Sequence, residues 1–197
     1  MKILNNWDNI LLIGSGEVVN VSIINQNVSD DYISYAIRDT QNIDLQSIIG
    51  TALLNKIKEL VYNKIKGLEN SISDDENVAY NELLEGFIKP YLAHMCVCNV
   101  LIPISYKVRN MGVIKTASTN LQNADMDDIK YLMEYYNNQA SFYETRLSKF
   151  LCTYKSAFPE LDENTEAWMT SPLVGKSFAT TSLFLGSENK NNCGCNG

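Results

Sequence analysis

The chain has a single histidine, His94, among 197 residues. That scarcity leaves no second imidazole for a His-based relay or a multi-histidine metal site. It has no C-x2-C pair, so the usual zinc knuckle spacing is missing although five cysteines are present, at 96, 98, 152, 193 and 195. An odd number without framework spacing points to folding in a reducing cytoplasm. Positive charge is also short. Sixteen Lys and Arg against 23 Asp and Glu give a net charge of -7, which disfavours broad electrostatic binding to nucleic acid. No apolar segment reaches the roughly 18 residues of a membrane span. Asn5, Asn6, Trp7, Asp8 and Asn9 break up the pattern that a secretory signal needs. The "GSGE" at 14–17 lacks both the Gly-Lys-Ser/Thr of a P-loop and the third glycine of a dinucleotide motif, and reads as a turn.

What is present is an ordinary globular composition, 45% hydrophobic and 20% charged, enough for one core. The expected fold is mainly α, a bundle of about four helices, in three parts. Residues 1–28 hold β-type runs, "NILLIG" and "EVVNVSII", read as two short strands around a turn. Residues 29–158 form the helical domain. Its first helix starts at Ser29 as N-cap, with Asp30 and Asp31 in the first turn. A turn over "IDLQSIIG" leads to a second helix that ends near Gly67. A third helix, capped by Ser73 or Asp74, should kink at Pro90 and end at Pro103. An extended loop or hairpin occupies 106–119. The last helix keeps a three-four apolar rhythm from Asp125 to about residue 155, and its length calls for a partner along much of its surface. Residues 159–197 are an acidic stretch followed by an extended arm.

Three features invite a chemical reading. His94, Cys96 and Cys98 stand at alternate positions, but on a helix Cys96 points about 200° away from His94, so the three do not converge on one ion. Cys96 and Cys98 are expected in the core and His94 as a hydrogen-bonded structural residue. Lys56, Lys58, Lys64 and Lys66 give one locally basic helix, read as a solvated face with nucleic acid as the lesser alternative. Asp30/Asp31, Asp74/Asp75 and Asp127/Asp128 fall at helix starts, where the helix dipole explains them. No catalytic set, cofactor site or metal site emerges. Eleven tyrosines, with Tyr131, Tyr135, Tyr136 and Tyr143 along the last helix, favour assembly over catalysis. Candidate assembly contacts are Tyr135, Tyr143, Trp168, Leu173, Phe178, Leu183 and Phe184. The last four sit in a Gly-, Ser- and Asn-rich arm that cannot form a core of its own. Cys193 and Cys195, in "NNCGCNG", read as an inert, frayed chain end, with soft-metal binding or oxidation as the lesser alternative.

Two segments, "DDYISYAIRDTQNIDLQSIIGTALLNKIKEL" (30–60) and "LLEGFIKPYLAHMCVCNVLIPISYKVRNMGVIKTAS" (83–118), carry an A-I-R-D-x-Q helix leading into I-I-G-x-x-L-L, then I-K-P-Y-L and R-N-x-G-V. In these motifs, over roughly 28–156, the chain resembles the head-tail connector, or adaptor ring, proteins of tailed bacteriophages of the crAss-like type. The resemblance implies a virion structural protein rather than an enzyme. It implies a homo-oligomeric ring of twelve copies in the neck at the head-tail junction, assembled in the host cytoplasm. Its partners would be the portal protein, reached by the C-terminal arm, and further neck or tail ring proteins. DNA would pass through the lumen without sequence-specific binding, and no membrane would be involved. An acidic chain suits a channel along which DNA must slide. The alternatives are a tail-completion or stopper protein of the same virion, or a small helical metal-binding regulator or enzyme built on the Cys-His region.

Overall fold

The computed structural model describes residues 7, 9–24, 28–109, 112–115 and 126–162, with the backbone alone for 106–109 and 112–115. The protein is mainly α-helical. In chain order the helices are α1 (Ser15–Asn20), α2 (Asp30–Asp39), α3 (Gln46–Ile49), α4 (Thr51–Lys66), α5 (Val78–Leu83), α6 (Lys89–Ser105) and α7 (Met126–Thr153). Two strands, β1 (Tyr106–Arg109) and β2 (Gly112–Lys115), pair antiparallel between α6 and α7, with Tyr106 opposite Lys115 and Arg109 opposite Gly112. This is the hairpin expected near 106–119.

The centre of the bundle is α6. It is apolar on nearly every side, so it is stable only when surrounded, and it packs against α7, α2 and α1. Leu92, Cys96, Val97 and Val100 are fully enclosed. Asp75–Ser105 is one continuous helical stretch of 31 residues, long and apolar enough by composition to cross a membrane, contrary to the expectation that no segment qualifies. Half of its apolar window is buried against neighbouring helices, which is the setting of a core helix.

Two of the expected details take another form. The kink at Pro90 becomes a widened i→i+5 turn over Leu84–Ile88, directly ahead of Pro90 as the second residue of α6. A wide turn there relieves the ladder of the N–H that proline lacks. Pro103 does not end the helix. It lies inside the last turn, and α6 continues to Ser105, whose hydroxyl donates to the Leu101 carbonyl at 2.7 Å.

The N-terminal β reading is corrected. Among the described residues before α2 there is no strand, and Ser15–Asn20, expected to span a turn and the start of the second strand, is helical. The apolar run is buried all the same, with Leu12, Ile13, Val18 and Ile24 in the core. A side chain takes the place of a partner strand. Leu12 N–H donates to Gln41 Oε1 at 2.9 Å, and Gln41 Nε2 donates to the Ile10 carbonyl at 2.8 Å. Gln41 can reach because Thr40–Leu45, between α2 and α3, is a second wide turn that turns Thr40 and Gln41 inward.

Helix ends follow local chemistry. Gly67 closes α4 in the left-handed conformation, φ 65°, as the sequence leads one to expect. Asp74 does not cap with its side chain. Its carboxylate accepts instead from the Ser71 backbone N–H at 2.6 Å and the Ser71 hydroxyl at 2.8 Å, which fixes the loop before a short 3-10 turn at Asp75–Asn77.

Candidate assembly surface

Helix α7 runs 28 residues, about 42 Å. Ile129, Tyr136, Ala140, Leu147, Phe150 and Leu151 make its buried face. Tyr131, Tyr135 and Phe142 fall on the opposite face, at steps of four and seven residues, and are 71%, 51% and 58% exposed. Large aromatics at helical spacing on the solvent side match the composition of protein interfaces.

The expected assembly residues therefore separate. Tyr135 is on the exposed stripe, edge-on to Tyr136 with ring centroids 5.2 Å apart. Tyr143 is half-buried and packs against the core, stacked on His94 with Arg146 5.7 Å from its ring centroid. Phe142, beside it in sequence, is the exposed one and was missed; a count of the helical phase from Tyr131 would have found it. Trp168, Leu173, Phe178, Leu183 and Phe184 lie outside the described residues, as do Cys193, Cys195 and the whole arm.

The Cys-His segment does not gather into a centre. Cys96 and Cys98 are buried free thiols, and Cys98 Sγ donates to the Met133 carbonyl at 3.3 Å. Burial pushes the Cys96 thiol up to about 12 and that of Cys98 up to about 11, so both stay protonated and are poor ligands and nucleophiles. His94 departs from expectation. It is not hydrogen-bonded through Nδ1, which is buried without a partner, and burial lowers its pKa. Its place is held by ring stacking. Among the described residues no group of three or more His, Cys, Asp or Glu is arranged to hold a metal ion.

The basic helix is also less basic than it reads. Lys58 is buried and its Nζ donates to Asn42 Oδ1 at 2.8 Å, while Lys56 pairs with Glu59 at 3.5 Å. Lys64 and Lys66 remain exposed at the end of α4, too few for a nucleic-acid track. "GSGE" is the start of α1, where the Gly14 N–H donates to Glu17 Oε2 at 2.9 Å. Glu17 in turn pairs with Lys89 at 3.2 Å, a structural tie to α6.

A family model described as "Family of unknown function (DUF6712)" matches residues 45–167, more than half of the chain, and the protein belongs to that family. No curated protein and no solved structure matches it.

Proposed function

We propose that this family member is a structural subunit of a bacteriophage neck, a protein without catalytic activity that assembles with copies of itself into a ring joining portal to tail. The exposed aromatic stripe of α7 carries this reading. A ring requires a heterologous contact that closes by rotation, and a long helix with one face in its own core and an aromatic face outward supplies one half of such a contact. The connector-like motifs support the neck as the location. On that reading the portal and further neck or tail ring proteins are its neighbours, DNA passes through the lumen, and 171–197 is the segment that reaches the portal.

Native mass spectrometry of the purified chain, alone and with a portal ring, tests this. A closed homo-oligomer of fixed copy number is expected, and Tyr135→Asp or Phe142→Asp should shift it to monomers with an unchanged circular dichroism spectrum. A chain that stays monomeric at every concentration and also with the portal would overturn the reading. A ring that forms only on tail components would replace the adaptor with a tail-completion or stopper protein.

A further inference from the structure

The wide turn Thr40–Leu45, α3, α6 and α7 enclose a half-open crevice of about 160 Å³. Asp44 and Glu144, a hundred residues apart in sequence, both line it, and each is half-buried. Neither carboxylate has a cationic partner among the described residues. Among the described residues Asp44 Oδ2 accepts from Asn99 Nδ2, at 3.1 Å. Desolvation raises both pKa values, and each feels further negative charge, Asp39 acting on Asp44 and Asp44 on Glu144. A third polar group faces the same space. Tyr91 is 3% exposed and lines the crevice without a hydrogen bond to any described residue, near enough to both carboxylates for their charge to act on its hydroxyl. Two half-buried acids with no counter-charge among the described residues, beside a tyrosine hydroxyl with hydrogen-bonding capacity to spare, favour a cationic partner.

We propose that this crevice is a binding site for an organic cation, a guanidinium or primary ammonium group held by Asp44 and Glu144. The remaining lining distinguishes this ligand from a metal ion. Ser47, Asn137 and Ser141 offer neutral hydrogen-bonding groups at the rim. Ile48, Met95 and Ala140 make apolar walls that suit a carbon stem or the flat face of a guanidinium. A magnesium or calcium ion would seek about six oxygen ligands, more than two carboxylates begin to supply. At a liquid-water share of about 30 Å³ per molecule, the crevice has room for about five waters, hence for a small cation of several heavy atoms. The cation can be a free small molecule or a basic side chain of a second copy. The site belongs to the single chain and does not depend on the ring reading.

Equilibrium dialysis of the full chain against isotope-labelled methylguanidinium at constant ionic strength tests the site. Saturable binding of one cation per chain is expected, weakened about tenfold by Glu144→Gln and by Asp44→Asn. Both variants should keep the wild-type circular dichroism spectrum. Absence of saturation overturns the proposal, as does binding that neither variant changes, or magnesium displacing methylguanidinium at equal concentration. Sedimentation of the same variants identifies the source. Self-association that weakens together with dialysis binding assigns the cation to a second copy, and unchanged self-association assigns it to a free molecule.

Discussion

The imidazole of His94 lies against the phenol ring of Tyr143, with centroids 5.2 Å apart and planes 10° from parallel. This stack joins the central helix to the longest one. It makes Tyr143 part of the fold, whereas Tyr131 and Tyr135 on the same helix are mostly exposed. Tyr143→Ala should therefore cost about 1.5–3 kcal/mol in chemical unfolding, from lost burial and stacking. Tyr131→Asp should stay within about 0.5 kcal/mol of wild type while weakening any ring. Equal losses at the two positions would show that α7 does not divide into an inner and an outer face as described.

His94 should confer a pH dependence of its own. Burial depresses its pKa below the ordinary 6.5. A base with a depressed folded pKa gives stability that is full above the unfolded value and is lost as pH falls through the folded one. The groups facing it from α7 are the rings of Tyr143 and Tyr136, so no carboxylate there offsets the loss. His94→Phe keeps a ring for stacking and removes the orphan Nδ1, whose kind costs about 1–3 kcal/mol when unsatisfied. The variant should melt at or above the wild-type temperature at about pH 7.5 and lose less on acidification to about pH 5.5. A steeper loss in the variant would mean that the imidazole has a stabilising partner in solution.

How much of this was legible follows from which interactions are local. The apolar rhythm of α7, the glycine stop at Gly67 and the acidic first turns at Asp30 and Asp127 depend on residues within a turn or two of each other. Each was readable. The wide turns at Thr40–Leu45 and Leu84–Ile88 were not, because every residue in them also suits an ordinary helix and the choice is made by tertiary contacts, such as Asn99 Nδ2 to Thr40 Oγ1 at 2.8 Å. Residues 9–14 and 17–24 resembled strands because β-branched residues also bury well in a short helix. The Ile10 carbonyl and the Leu12 N–H bond to the side chain of Gln41, which no spacing reveals. The acidic crevice was invisible for the same reason, since Asp44 and Glu144 meet only after α7 has packed.

The two left-handed glycines should differ in what they tolerate. Gly50, between α3 and α4, has φ 82° and ψ 162°, a region essentially reserved for glycine, and Gly50→Ala should cost about 1–3 kcal/mol. Gly67 sits at φ 65° and ψ 32°, where Asn is also accepted, so Gly67→Asn should cost less than about 1 kcal/mol. Urea denaturation of the two single variants makes the comparison. A Gly50→Ala protein as stable as wild type would show that the α3–α4 junction adopts another conformation.

Thiol labelling should follow burial. With Cys96 raised to about 12 and Cys98 to about 11 by desolvation, neither presents thiolate at neutral pH. Cys152, half-buried on α7, should be alkylated ahead of both. Iodoacetamide treatment of the native chain followed by peptide mass spectrometry should leave Cys96 and Cys98 unmodified until denaturant is added. Early labelling of Cys96 would mean that α6 opens or is not central.

The acid pair should destabilise the empty chain at neutral pH, and the sign can be derived. Desolvation raises Asp44 above 3.8 and Glu144 above 4.5, and Asp44 raises Glu144 further. For an acid with a raised folded pKa, stability is full below the unfolded pKa and is lost as pH rises through the folded value. Glu144→Gln removes a charge that the fold holds at a cost, so it should raise the melting temperature by a few degrees at about pH 7 and change little near pH 4, where the wild-type carboxyl is protonated. Asp44→Asn should behave alike but gain less, because Asn99 already donates to Asp44 and offsets part of the desolvation. A saturating organic cation in the crevice would neutralise the same repulsion, so adding methylguanidinium should erase the difference between Glu144→Gln and wild type at neutral pH. If Glu144→Gln instead lowers the melting temperature equally at both pH values, the carboxylate makes a hydrogen bond that the fold needs, and its repulsion with Asp44 is not what governs the crevice.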